Sequence, residues 1–267
     1  MFKHRTNLAC FWALIISILY SITCYAQGEL KDIDGNSYKT VKIGKQSWQA
    51  QNLNVQRFKN GDSIRLVKSA ADWTEAAINK EPACCYYAFQ SKYGKRYGKL
   101  YNWYAVNDKR GLAPKSWHIP SLKEIGQLSN FLGNDAGIKL KSKKNWYFDK
   151  SNTTMKYLCI ENQGKDLFGF NAKAGGYVDS TGNFQLLKTF GNWWAADETT
   201  HNALKLNLNF NDDNSQSEEK KDKEYVNSDL KQDTENAAFF WLEYFSKFLD
   251  FSEDHKSCGF SVRCIKN

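Results

Sequence analysis

Trp193-Trp194 followed by Asp197-Glu198 is the part of this chain whose residue types come nearest to binding chemistry. An indole ring can stack on the C–H face of a sugar, and nearby carboxylates can accept from its hydroxyls or share a Ca²⁺. Strand alternation favours a plainer reading, with one indole in the core and the acids at a solvated strand end. Trp117-His118 could face a ligand as a pair. It reads more simply as a packed connector ahead of Pro120, with His118 bonded to backbone. Lys139, Lys141, Lys143 and Lys144 form a basic run beside Trp146 and Tyr147. Such a run suits a polyanion, and it serves solubility equally well.

Catalytic and metal patterns are weaker. His118, His201 and His255 are not spaced as metal pairs, and no Cys-x-x-Cys occurs, which argues against zinc. The chain has neither a Gly-x-Ser-x-Gly elbow nor a phosphate-cradling glycine loop. In Asp32-x-Asp34-Gly35 the glycine comes too early for an EF-hand, so the segment reads as a turn. With no contiguous Ca²⁺ ligand set, no cofactor is expected. No catalytic constellation is recognised, so the chain does not read as an enzyme.

The elements that position these residues are short. Tyr38 to Ile43 and Gln46 to Ala50 flank Gly44-Lys45, which predicts a hairpin with a type II′ turn. Ala83 to Phe89 reads as a strand, and Leu100 to Val106 as a short buried helix. Ser121 and Glu124 form a capping box; Leu122, Ile125, Leu128 and Leu132 recur at helical spacing and Gly133 ends the run, which predicts a helix over 122–132. Glycines interleaved with Phe and Tyr over 164–192 predict short strands and tight turns. Ala237 to Phe251 fits a helix or a strand. Gly259 to Ile265 alternates and reads as one final strand.

Composition sets the class. The chain has 267 residues, 42% hydrophobic and 15% aromatic, a length and make-up that can bury a core and exclude disorder, coiled coil and a multi-span membrane protein. Residues 1–26 read as an export signal: Lys3 and Arg5, an apolar stretch from Leu8 to Leu19, then small residues around Tyr25 before Gln27. An uncleaved anchor or a lipid on Cys24 are the alternatives. Cleavage lowers the net charge from +8 to +6 and leaves Cys84, Cys85, Cys159, Cys258 and Cys264. Residues 211–235 hold nine acids and four lysines, so a mobile acidic insertion is expected at about 200–236, on a basic body. An exported chain can keep disulfides, and sequence alone leaves their pattern open. Adjacent Cys84 and Cys85 point to opposite strand faces, and a Cys85–Cys264 bridge is the pairing expected.

Six blocks carry a family resemblance: DIDGNSYKTVKIGKQSWQAQNLN (32–54), YGKLYNWYAVN (97–107), LAPKSWHIPSLKEI (112–125), FGFNAKAGGYVDSTGNF (168–184), NWWAADE (192–198) and GFSVRCIKN (259–267). Their order resembles the Fibrobacter succinogenes major paralogous domain. That resemblance implies an exported, surface-associated protein with a C-type-lectin-like α+β fold: short twisted antiparallel strands, two short helices and long loops, in a single domain over 27–267. The family is in turn similar to formylglycine-generating enzymes, whose closely spaced cysteine pair has no counterpart here. Leu112-Ala113-Pro114 also lacks a cysteine usual in the family, and Glu124-Ile125 lacks its acidic-Trp ending.

The expectation is thus a non-catalytic binding module of the periplasm, outer-membrane surface or exterior, recognising a surface glycan or surface protein. No nucleic acid partner is expected, and membrane contact only through the export signal or a lipid anchor. A displaced modifying enzyme and a purely structural envelope protein are the alternatives. Lectin-like folds bind through loops at one end of the sheet, so by fold analogy the ligand-binding residues would be Tyr177, Asp179, Trp193, Trp194, Asp197 and Glu198.

Overall fold

The computed structural model describes residues 30–198 and 235–267. The expected export signal over 1–26 and nearly all of the expected acidic insertion lie outside them. Two-residue strands β1 (Leu30–Lys31) and β2 (Ser37–Tyr38) pair around the Asp32 turn, where the Asp32 carboxylate accepts from the Asp34 and Asn36 amides, both at 2.9 Å. β3 (Thr40–Ile43) and β4 (Gln46–Gln49) form the expected hairpin. Gly44 has φ 59° and Lys45 stays out of the left-handed region, as a type II′ turn requires.

β5 (Arg65–Leu66) precedes helix α1 (Ala70–Ile78), which buries only Trp73 and Ala76. So thin an apolar stripe gave no periodic signal, though Ser69 caps it by accepting from the Asp72 amide. The expected strand over 83–89 is shorter: β6 (Ala83–Cys85) gives way to a 3₁₀ turn with positive φ at Ala88 and Phe89. After the one-turn helix α2 (Gly94–Tyr97), the 100–106 segment begins as strand β7 (Leu100–Asn102) and only then turns into α3 (Trp103–Val106). Asn102 makes the switch, since its side chain accepts from the Ala105 amide as a helix cap.

β8 (Trp117–His118) leads into α4 (Leu122–Leu132), whose bounds and capping box are those the sequence predicts. Leu122, Ile125, Leu128 and Leu132 are all buried, each contributing roughly 1.5–3 kcal/mol. α5 (Ala136–Leu140) and α6 (Thr153–Glu161) follow, and α6 buries only Cys159. With three helices of nine residues or more, the described chain is more helical than the two short helices expected.

β9 (Tyr177–Val178) and β10 (Phe184–Gln185) form a hairpin, and β11 (Phe190–Glu198), β12 (Asn236–Glu243) and β13 (Asp250–His255) form a three-stranded antiparallel sheet. The ambiguous 237–251 segment is therefore mostly strand. The tail is not one strand but two, β14 (Gly259–Phe260) and β15 (Ile265–Lys266), in different sheets. β14 lies between β9 and β7 in a six-stranded sheet, and β15 lies between β4 and β8 in a four-stranded one. Between them the Ser261 and Val262 carbonyls accept from the Trp194 and Leu53 amides at 3.1 and 2.8 Å. The fold is thus α+β, built from several small, mainly antiparallel sheets. Among the described residues no helix is long and apolar enough to cross a membrane.

The expected Cys85–Cys264 bridge is not formed. All five described cysteines are free and buried. Alternation along β6 explains it. Cys84 faces the cluster that holds Cys258 and Cys264, whereas Cys85 faces the separate cluster of Trp73, Ala76 and Leu100. The basic run is not an evenly solvated face either. Lys141 is 1% exposed and donates to the Glu243 and Ser246 carbonyls at 2.8 and 2.7 Å.

Candidate functional site

The six residues singled out in the sequence do not converge. Trp193 and Trp194 alternate to opposite faces of β11, but both faces are covered, so both rings are fully buried. The Trp193 indole donates to Asn52 Oδ1 at 2.9 Å within the core under α4. The Trp194 indole donates to the Tyr101 carbonyl at 2.8 Å in the other main core. Asp197 accepts from the Leu122 amide at 2.6 Å, satisfying a free donor at the start of α4. Glu198 pairs with Lys256 at 3.2 Å. Asp179 spends its carboxylate on its own turn, accepting from the Thr181 and Asn183 amides, both at 2.9 Å. Among the described residues no three His, Cys, Asp or Glu side chains gather as a metal site.

Tyr177 alone opens onto a cleft. The cleft lies where one face of the β11–β12–β13 sheet meets the β9–β14 edge, and has a volume of about 180 Å³. Its floor is Phe260, 4.3 Å from Trp194 and 4.6 Å from Phe239, ring centroid to centroid. Trp194 therefore contributes from behind, as backing for the floor. Tyr177 meets Phe260 edge-on at 5.6 Å and forms one wall. Phe190 and Trp241, tilted and 5.2 Å apart, form the other. Both walls are half-buried, which leaves aromatic surface open to a ligand.

The polar groups come from the same strands. Asn192 pairs with Trp241 across β11 and β12, and Ser252 lies opposite Phe239 across β12 and β13. Asp254, two residues on, shares the Ser252 face. Asn192 is 5% exposed, and its side-chain amide lines the cleft together with the hydroxyls of Tyr177 and Ser252. Burial, followed by the charge of Asp254, pushes the Tyr177 phenol above its usual value, so it remains a donor at neutral pH.

Local backbone holds these groups in place. Gly176, with φ 62°, turns the chain into Tyr177, and a Cβ there would strike the Gln185 carbonyl. Leu186, at the cleft edge, is left-handed with φ 59°. Its carbonyl accepts from the amides of Thr189 and Phe190 and from the Thr189 hydroxyl, which fixes a conformation that costs a leucine about 1–3 kcal/mol. Sequence reasoning missed Phe190, Asn192, Trp241, Ser252 and Asp254. The signal for Trp241 was the strand alternative at 237–251, which sets Phe239 and Trp241 on one face.

A second polar row lies at the end of β13. His255 Nδ1 is 2.5 Å from Ser257 Oγ, and its Nε2 is 3.4 Å from Glu235. The order is that of a nucleophile, a base and an acid, with Ser257 1% exposed. The His118 ring bridges Glu124 Oε1 at 2.8 Å and Asn267 Oδ1 at 2.7 Å, so it meets side chains and not the backbone partner expected, while its own backbone pairs with β15 opposite Ile265.

No curated protein and no solved structure matches the chain. The sequence profile of the Fibrobacter succinogenes major domain matches residues 41–266, from β3 to β15 and so across both main cores and the cleft. The chain belongs to the Fibrobacter succinogenes major domain family.

Proposed function

We propose that this protein is an exported, non-catalytic binding module of C-type-lectin-like architecture, placed in the bacterial envelope or at its surface, and that its aromatic cleft takes one sugar ring of a surface glycan. The observation that carries the reading is the cleft itself, with half-buried Tyr177, Phe190 and Trp241 around Phe260 and the polar side chains of Asn192, Ser252 and Asp254 in the same lining. A pyranose offers C–H faces for Tyr177 and Trp241 and hydroxyls for Asn192, Ser252 and Asp254. The lectin-like architecture draws support from the closure of the chain ends, with Ile265 opposite Trp48. The non-catalytic reading draws support from the thiols: burial pushes those of Cys84 and Cys258 well above their usual value, the reverse of an activated nucleophile.

The test is titration of the full chain with a panel of neutral and amino sugars and their oligomers, read by tryptophan fluorescence. Expected is saturable binding of at least one glycan, weakened about tenfold or more by Trp241→Ala and less by Tyr177→Phe. Absence of any glycan signal, or equal affinity of the Trp241→Ala variant, overturns the reading.

A further inference from the structure

The basic surplus of the chain is not evenly spread. A second concavity, about 690 Å³ in volume, opens beside α2. Its charged lining is Lys92, Lys95, Arg96 and Lys173, with no carboxylate among the lining residues. None of the four makes an ion pair among the described residues. The other surface arginines among the described residues are paired with acids. Arg57 pairs with Asp34 at 2.5 Å, Arg65 with Glu75 at 2.6 Å and Arg110 with Asp108 at 2.8 Å. Arg263 is buried among carbonyls, so Arg96 is the only described surface arginine left without an acid. A fork of five donors turned to a groove and left unpaired suits an anion from outside.

The remaining lining narrows the class of anion. Tyr97 is almost wholly buried, and the half-buried Tyr93 ring already meets Tyr87 edge-on at 5.6 Å and the Lys92 ammonium at 5.3 Å, which leaves little ring face for a nucleobase. Gln51, Asn145 and Asn171 supply amides, which suit hydroxyls better than they suit a run of phosphates. Asn145 and Asn171 also hold left-handed backbone, with φ 75° and 57°. We propose that this groove is a binding site for an acidic glycan, a chain of sugars bearing carboxylate or sulfate groups, separate from the aromatic cleft. Its residues do not overlap those of the cleft, so it stands whether or not the cleft takes a sugar. Burial and the neighbouring Arg263 and Arg96 charges already hold the Lys173 ammonium below its usual value, and a bound anion would raise it again.

The test uses the full chain, with polygalacturonate and dextran sulfate as the two acidic probes, pullulan as the neutral one and single-stranded DNA as the rival polyanion. Expected is salt-sensitive binding of one or both acidic glycans and none of pullulan. The pair Arg96→Ala/Lys173→Ala should weaken binding about tenfold or more. Lys68→Ala/Lys109→Ala, equal in charge change but outside the groove, should stay within about twofold, as should Trp241→Ala. Circular dichroism checks that each variant is folded. The proposal is overturned by no binding of either acidic probe at low salt, by equal losses from the two charge pairs, or by tighter binding of DNA than of both glycans.

Discussion

Arg263 is the residue whose removal tests the packing most sharply. It is fully buried, its Nε donates to Asn52 Oδ1 at 2.9 Å, and its two terminal nitrogens donate to the Phe170 and Asn171 carbonyls. Its plane lies 4.2 Å from the Phe170 ring and 5.6 Å from Trp193. Arg263→Met keeps much of the volume and removes the donors. Asn52 Oδ1 retains the Trp193 indole, so the change orphans two acceptors, the Phe170 and Asn171 carbonyls. Each costs about 1–3 kcal/mol, and lost ring stacking adds about 1. Relief of the buried charge returns part of this. The net expected is about 3 kcal/mol, or a fall in Tm of about 6–12 °C for a domain of this size. Arg263→Lys should fall nearly as far, because one ammonium cannot fork to three separated acceptors. The assay is thermal melting followed by near-ultraviolet circular dichroism, which reports on Trp193. A Tm within about 2 °C of wild type for either variant refutes the reasoning.

Lys141 gives a pH test. Burial pulls its ammonium down from 10.5 to about 8, so between those values the unfolded chain binds the extra proton and the lysine's contribution to stability rises with pH. Wild type should therefore gain on Lys141→Met in Tm as the pH goes from 7.5 to 10, with a limit of about 3 kcal/mol; a constant gap would sink the idea. The five described cysteines should resist thiol reagents in the folded chain and all react in denaturant without reductant, as peptide mapping would show. Recovery of fewer than five would mean that a bridge forms after all.

What the sequence made legible is what depends on neighbours in the chain. The hairpin at Gly44-Lys45 and the capped helix α4 needed only turn chemistry, a capping box and an apolar stripe. Trp193 and Trp194 illustrate the opposite case. Alternation rightly sends them to opposite faces, but whether a face is wet depends on what lies across it. For β11 that is α4 and Phe240 on one side, and Phe260 with Tyr101 on the other. The same limit hid Lys141, whose carbonyl partners lie about a hundred residues along the chain. Asp197 and Glu198 looked free because their partners, the Leu122 amide and Lys256, are likewise remote.

The tail unites these features. Within GFSVRCI, Phe260 floors the aromatic cleft, the Ser261 carbonyl accepts from the Trp194 amide, Arg263 ties Asn52 to the Phe170 carbonyl, and Ile265 pairs with Trp48. A straight strand could not do all four, because its alternate residues would stay in one sheet. Splitting it into β14 and β15 lets seven residues fasten two sheets and both main cores. The cleft therefore has no floor until the C-terminal end has docked against segments that precede it by more than a hundred residues. Its shape depends on completion of the whole fold. That dependence gives a physical reason for a closing strand of this composition, with a buried guanidinium at the point where the chain leaves one sheet for the next.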